Sequence, residues 1–195
     1  MKLFKISKFC AIISAILFFI LSTINLIKFG ISQNAIKRSD HVLIELVIDN
    51  YNNLNIYLIF LLFLISLIIF FGYYKWTKIN KQKISSLLSI LMIIALLLSI
   101  LYQLSIYSSF FDSLSIGKNA SSIFISIISI AFAISLLLYK KNRKTAILAI
   151  APLYIINSIF TFSTLFIPIQ LLNLTIAIRI VEVVFFSQES LEKQK

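Results

Sequence analysis

Three polar residues in the last apolar segment have the types and the spacing needed to form a buried site. Thr175, Arg179 and Glu182 are separated by four and three positions, so a helix carries them on one face. An arginine at the centre of a membrane span costs roughly 2.5–3.5 kcal/mol on insertion scales, and such residues commonly mark a substrate path or a coupling ion pair. These three residues are therefore our candidate intramembrane polar site.

The sequence leaves two interpretations of Arg179 open. The cytoplasmic end of the segment is only about 10 Å away at the helical rise per residue. The guanidinium could therefore snorkel to the lipid headgroups and form a structural ion pair with Glu182, instead of serving a functional site. Gln170, Asn173 and Ala177 lie on a different face, and polar residues on two faces indicate a helix inside a bundle.

A second group of polar residues lies between the first two apolar segments. His41, Glu45 and Asp49 recur every four residues after Ser39, a good N-cap, so the pattern predicts a short amphipathic helix on the outer leaflet. His41 is the only histidine of the chain, and the second histidine of common zinc motifs is missing. We therefore predict no metal, no cofactor and no catalytic residue, and we do not expect an enzyme.

The elements that must carry these residues are apolar runs of about 19 residues, the length that one helix needs to cross a bilayer. The chain of 195 residues is 60% hydrophobic, and its mean hydropathy is +1.01, well above soluble domains. We predict an all-α fold, a six-helix transmembrane bundle forming a single integral membrane domain over residues 1–195, with residues 28–55 as an outer loop. The predicted spans are Phe9–Ile27, Ile56–Tyr74, Ile84–Tyr102, Ser121–Tyr139, Thr145–Phe162 and Leu165–Phe186.

Two of these boundaries have alternatives. The first span follows a basic segment like a secretory signal, but no small-residue cleavage site follows it, so we expect it to be retained. Spans five and six are joined by almost nothing, and Pro168 falls just inside the sixth. Residues 162–168 are therefore either a tight turn or a re-entrant break.

The basic residues predict the orientation. Most of the 18 lysines and arginines fall on one side of a six-span drawing, whereas Lys28, Lys37, Arg38 and Lys118 fall on the other. The positive-inside rule then puts both termini in the cytoplasm, and the charge is explained by anionic lipid rather than by nucleic acid. Tyr73, Tyr74 and Trp76 are expected at the cytoplasmic interface, which such side chains prefer.

Small and polar residues predict where helices pack, because close approach of small side chains drives helix association in lipid. In the fourth span they form one stripe at steps of four, three and four, and the first span has a similar series. The candidate packing residues are Ser122, Ser126, Ser129 and Ala133, and Ala11, Ala15, Ser22 and Asn25. The chain has 3 glycines and no Gly-x-x-x-Gly, so very close right-handed crossings are not indicated.

Two classes of function fit these features. The scarcity of buried polar groups favours a non-catalytic membrane module, such as an accessory, assembly or immunity-type protein, which contacts another membrane protein or itself. The alternative is a small transporter or a transporter subunit, with a polar path involving the sixth span. Heavy use of isoleucine, phenylalanine, lysine and asparagine suggests an AT-rich coding sequence, so we expect a multi-pass protein of a bacterial cytoplasmic membrane.

Overall fold

The computed structural model of the chain is built from six α-helices. It describes residues 2–38, 41–107, 115–138, 145–162 and 168–192, and within these ranges no strand occurs. This confirms the all-helical prediction. The helices are α1 (Lys2–Arg38), α2 (His41–Ile79), α3 (Lys83–Tyr107), α4 (Ser115–Leu138), α5 (Thr145–Phe162) and α6 (Pro168–Glu192).

Each helix contains one of the six predicted spans almost entirely, but the first two are much longer than predicted. Residues 28–38 continue α1, and residues 41–55 begin α2, so the predicted outer loop of residues 28–55 is largely helical. The segment around His41 is likewise the first part of α2 and not a separate short helix. Neither stretch contains a proline, so every residue keeps the backbone N–H that a continuing helix needs.

Three helices are long and apolar enough to cross a membrane, so the chain has the character of a membrane-associated protein. They cover Lys2–Ile31, Tyr57–Ile79 and Lys83–Leu101, and two shorter apolar helical stretches cover Ile123–Leu138 and Ala146–Thr161. Large apolar side chains such as Phe9, Phe19 and Leu98 are more than half exposed on the outside of the fold. A soluble surface rarely tolerates so much apolar area, whereas lipid does.

The helices form a closed ring in chain order. Each packs against its neighbours in sequence, and α1 also packs against α6, which closes the ring. The connection between α2 and α3 is a short turn. Lys81 adopts a left-handed φ of 56°, and the amides of Lys81 and Gln82 donate to the carbonyls of Lys78 and Thr77, so α2 ends in a Schellman motif.

A single glycine allows α1 and α2 to approach closely. A Cβ at Gly72 would lie 2.3 Å from Oγ of Ser7 and 2.9 Å from Cε1 of Phe186. The hydroxyl of Ser7 donates to the carbonyl of Ile68, 3.3 Å away. Although the chain lacks Gly-x-x-x-Gly, one glycine facing one serine is enough for this contact, because the serine supplies the second small side chain.

Aromatic side chains fill the ring at the end that holds the α2–α3 turn. The aromatic cluster, as we name it, consists of Phe70, Tyr73, Trp76, Phe132, Tyr154, Phe185 and Phe186. Tyr73 stacks on Phe185 with ring centroids 5.5 Å apart and meets Phe132 edge to face at 5.4 Å.

The cluster corrects the interface assignment of two aromatic residues. Tyr73 is 0% and Trp76 1% exposed, so neither lies at a lipid–water interface as predicted. They are three residues apart on the inner face of α2. Both aromatic side chains therefore point into the space that the six helices enclose. Tyr74, on an adjacent face, is half-buried, and Lys78 lies 5.7 Å from its ring centroid.

Most of the candidate packing residues face neighbouring helices. Ser126, Ser129, Ala133, Ala11 and Ser22 are buried, and Ala15 and Asn25 are half-buried. The hydroxyl of Ser129 lies 3.7 Å from Sδ of Met92 on α3, and that of Ser22 lies 3.4 Å from Oδ1 of Asn173 on α6. Asn25 donates to the carbonyl of Leu21 in its own helix. The side chain of Ser122 lies outside the described part of the chain.

Candidate functional site

Arg179 and Glu182 form a buried ion pair on the inner face of α6. Nη1 of Arg179 lies 2.7 Å from Oε2 of Glu182, and the two residues are 6% and 0% exposed. The second carboxylate oxygen, Oε1, accepts a hydrogen bond of 2.7 Å from the hydroxyl of Tyr154 on α5. Nη2 of Arg179 donates to Oγ of Ser66 on α2, 2.8 Å away. One ion pair on α6 is thereby linked to two other helices.

This geometry does not fit the snorkelling interpretation of Arg179. A snorkelling side chain extends along the outside of a helix to reach the headgroups. Arg179 instead points into the ring and reaches Ser66, a residue 113 positions earlier in the chain. The ion pair expected from the spacing of Arg179 and Glu182 is formed, but it is enclosed by protein.

Thr175 continues the polar face one turn further along α6. Its hydroxyl lies 3.5 Å from Oδ1 of Asn157 on α5. The three candidate residues therefore share one face, as their spacing predicts. The other predicted polar face of α6 is represented by Asn173, which accepts from Ser22 of α1. Asn173 is itself exposed, however, as are Ile180 and Val184, so α6 has an outer face and is not enclosed on all sides as its two polar faces had indicated.

A cavity of about 260 Å³ lies against this polar face. Every one of the six helices contributes to its wall, so the cavity lies inside the ring. Most of the wall is apolar, and its polar groups are concentrated on α5 and α6. The lining residues are Phe18, Ile59, Leu62, Phe63, Ser66, Phe70, Met92, Leu96, Ile125, Ser129, Tyr154, Asn157, Thr175, Ile178 and Arg179.

The cavity and the aromatic cluster occupy successive stretches of the helices. On α2 the lining residues run from Ile59 to Phe70, and the cluster continues from Phe70 to Trp76. On α6 the lining ends at Arg179, and the cluster includes Phe185 and Phe186. The aromatic rings therefore close one side of the cavity, and the Arg179–Glu182 pair lies where the two regions meet.

Two buried polar atoms at this junction lack a hydrogen-bond partner among the described residues. They are Nε of Arg179 and the hydroxyl of Tyr73. A buried donor without a partner costs roughly 1–3 kcal/mol, and more when it is charged. Of these two residues Arg179 lines the cavity and Tyr73 does not, so a molecule bound there would give a partner to Nε of Arg179.

The sequence predicted only part of this site. Ser66, Tyr154 and Asn157 complete the polar network, and none of them was a candidate. Tyr154 and Asn157 are three residues apart in the fifth span, which puts them on one face, and this signal could have been read from the sequence. Ser66 is a lone serine in an apolar run and gives no such signal.

The structure does not describe the other polar group that the sequence singled out. Ser39 and the side chains of His41, Glu45 and Asp49 lie outside the described part of the chain, as do residues 163–167 between the last two helices. Within the described residues, no group of three or more histidine, cysteine, aspartate or glutamate side chains is arranged to hold a metal ion.

Comparison with protein-family models, with curated proteins and with solved structures found no match to this chain. The class of protein therefore rests on the fold and the site alone. They define an all-helical, membrane-associated protein whose helix ring encloses a cavity beside a buried arginine–glutamate pair.

Proposed function

We propose that this chain is a six-span protein of the cell membrane that binds a small amphipathic molecule inside its helix ring, as a small transporter or the membrane subunit of one. The cavity carries this proposal. An apolar wall with a few polar groups on one side is typical of small-molecule sites between the helices of bundles. At about 260 Å³ it suits a molecule smaller than most drugs.

The contribution of all six helices to one wall supports transport over simple structural packing. A transported molecule needs a path lined by several helices that can move against each other, and sites at mid-membrane are common in such proteins. Polar groups that are buried in a membrane bundle and face a cavity commonly mark such paths. The aromatic cluster closes one side of the cavity, as a gate would in a protein that opens to one side at a time.

The cavity predicts that small aromatic compounds with one polar end stabilise the purified protein. Benzyl alcohol, benzamide and benzoate serve as probes in a thermal unfolding assay, and a site occupied tenfold above its Kd gains about 1.4 kcal/mol. Leu96→Trp should remove this stabilisation, because Leu96 is buried in the cavity wall. Leu98→Trp is the matched control, since Leu98 is 55% exposed on the outside of the same helix. Stabilisation that persists in Leu96→Trp would show that the probes bind elsewhere.

The proposed orientation has both termini in the cytoplasm. Six antiparallel spans would bring the basic residues of residues 2–8, 75–83 and 140–144 to one side, as the positive-inside rule requires. In a Cys10→Ala background, Lys37→Cys and Lys118→Cys should react with an impermeant maleimide on intact cells. Lys78→Cys and Asn142→Cys should react only after lysis. The reverse labelling pattern would invert the proposed topology.

The second candidate is the non-catalytic module that acts through contacts with another membrane protein or with itself. It is favoured by the length of α1 and α2, which have 37 and 39 residues, whereas a span needs about 20. The excess gives a helical segment that extends beyond the hydrocarbon core. Co-purification in mild detergent separates the candidates, because a stable complex without any response to the aromatic probes would favour the module.

A further inference from the structure

We infer that the cavity takes a small apolar carboxylic acid, that its carboxylate binds at Arg179, and that Glu182 takes up one proton as it binds. This inference rests on the proposed function, since it assumes that the cavity is a ligand site. It goes further by naming the chemical class of the ligand and the ion that enters with it.

The wall of the cavity favours an anion at one end of an apolar body. Among the described lining residues, Arg179 is the only charged one, and its Nε has no partner. A guanidinium matches the planar geometry of a carboxylate and can donate to it from two nitrogens. Asn157 and Thr175 are polar but uncharged, and the rest of the wall around Leu62, Leu96 and Ile178 suits a hydrocarbon or an aromatic ring.

Charge balance then requires a proton. Arg179 is already neutralised by Glu182, which does not line the cavity. An added carboxylate would leave one negative charge in excess in a buried, low-dielectric region, which is strongly unfavourable. One proton from water on the carboxylate of Glu182 restores neutrality, and no bond of the ligand is made or broken. The carboxylate of the ligand then replaces Glu182 as the counter-ion of Arg179.

The described groups around Glu182 offer no other way to balance the negative charge of the added carboxylate. Arg179 contacts it from α6, and Tyr154 donates to it from α5. Tyr73 of α2 is a further titratable group packed against this part of α6, where its ring contacts Phe185 and Phe186. From α1, which also packs on α6, no described side chain gives Glu182 a hydrogen bond or an ion pair. Of these groups Glu182 is the one carboxylate, so we assign the proton to it.

The first test compares benzoate with benzamide, which has the same ring but no charge. Calorimetric titration of the purified protein in two buffers of different ionisation enthalpy gives the number of protons taken up. We expect benzoate to bind at least tenfold more tightly than benzamide near pH 7, with one proton taken up per benzoate. Because the bound state then holds more protons, affinity should fall as pH rises, by up to tenfold per pH unit. Benzoate binding without proton uptake would overturn the inference.

The second test uses Glu182→Gln, which imitates the protonated carboxyl group. In this variant benzoate should still bind, with no proton uptake and no dependence of its affinity on pH. Benzoate should also stabilise the variant more than it stabilises the wild type, because Arg179 of the variant lacks its own anion. Proton uptake that persists in the variant would overturn the role of Glu182. If benzamide binds as well as benzoate, the cavity remains a ligand site and the carboxylic acid is wrong. If neither probe binds, the proposed function itself fails. The proton count of the wild type decides the question even if the variant does not fold.

Discussion

Replacing Arg179 by methionine should destabilise the folded protein by about 3–5 kcal/mol, because the change leaves Glu182 buried without its cation. Glu182 is 0% exposed, and its remaining described hydrogen bond comes from Tyr154. Ser66 also loses the donor from Nη2. The free energy of unfolding in mixed micelles is the measurement.

Two further variants make this prediction specific to the ion pair. Lys5→Met removes an exposed cation from α1 and should change stability by less than about 0.5 kcal/mol. Adding Glu182→Gln to Arg179→Met removes the unpaired charge while an acceptor for Tyr154 is kept, so most of the lost stability should return. Wild-type stability of the single variant Arg179→Met would mean that the arginine is not enclosed, and the snorkelling interpretation would then stand.

The spacing in α6 predicted the shared face of Thr175, Arg179 and Glu182, but it could not predict where that face points. Depth along the helix is compatible with both snorkelling and burial, because both depend on how α6 is rotated about its axis. That rotation is set by partners far away in the chain, such as Ser66 and Tyr154. Ser66 gives no signal in the sequence. The spacing of Tyr154 and Asn157 indicates a shared polar face, but it does not identify α6 as the helix which that face contacts.

The unknown rotation of a helix about its axis also explains why Tyr73 and Trp76 were assigned to the membrane interface. A tyrosine or tryptophan at the end of a span is usually an interface residue, and that rule takes no account of which face carries it. Both residues lie on the inner face of α2, where Phe185 of α6 stacks on Tyr73 and meets Trp76 edge to face. The long α1 and α2 were missed for a related reason, since hydropathy locates the apolar part of a helix and not its ends.

Helix number and the approximate positions of the six helices were predictable because each apolar run is long and most breaks between runs are polar, the exception being the short break between the last two spans. In the small-residue stripe of the fourth span, Ser126, Ser129 and Ala133 are all buried. The closed order of the ring was not predictable, because every apolar helix is compatible with many neighbours in lipid.

The contact between α1 and α2 gives the second large effect. Gly72→Ala should destabilise the protein by about 1–3 kcal/mol, the usual cost of overpacking. The added Cβ would lie 2.3 Å from Oγ of Ser7 and 2.9 Å from both Cβ of Ser7 and Cε1 of Phe186. The two helices must therefore separate, or the side chain of Phe186 must shift. The free energy of unfolding in mixed micelles again measures the effect.

Gly30→Ala is the matched control, because a Cβ there meets nothing within 4 Å. This change should be neutral or stabilising by up to about 1 kcal/mol, since alanine favours a helix more than glycine does. Adding Ser7→Gly to Gly72→Ala moves the small residue to the opposite helix and should recover part of the lost stability, because the two sites share one contact. If Gly72→Ala and Gly30→Ala behave alike, α1 and α2 do not approach each other at Ser7, and the closure of the ring beside Phe186 would have to be different.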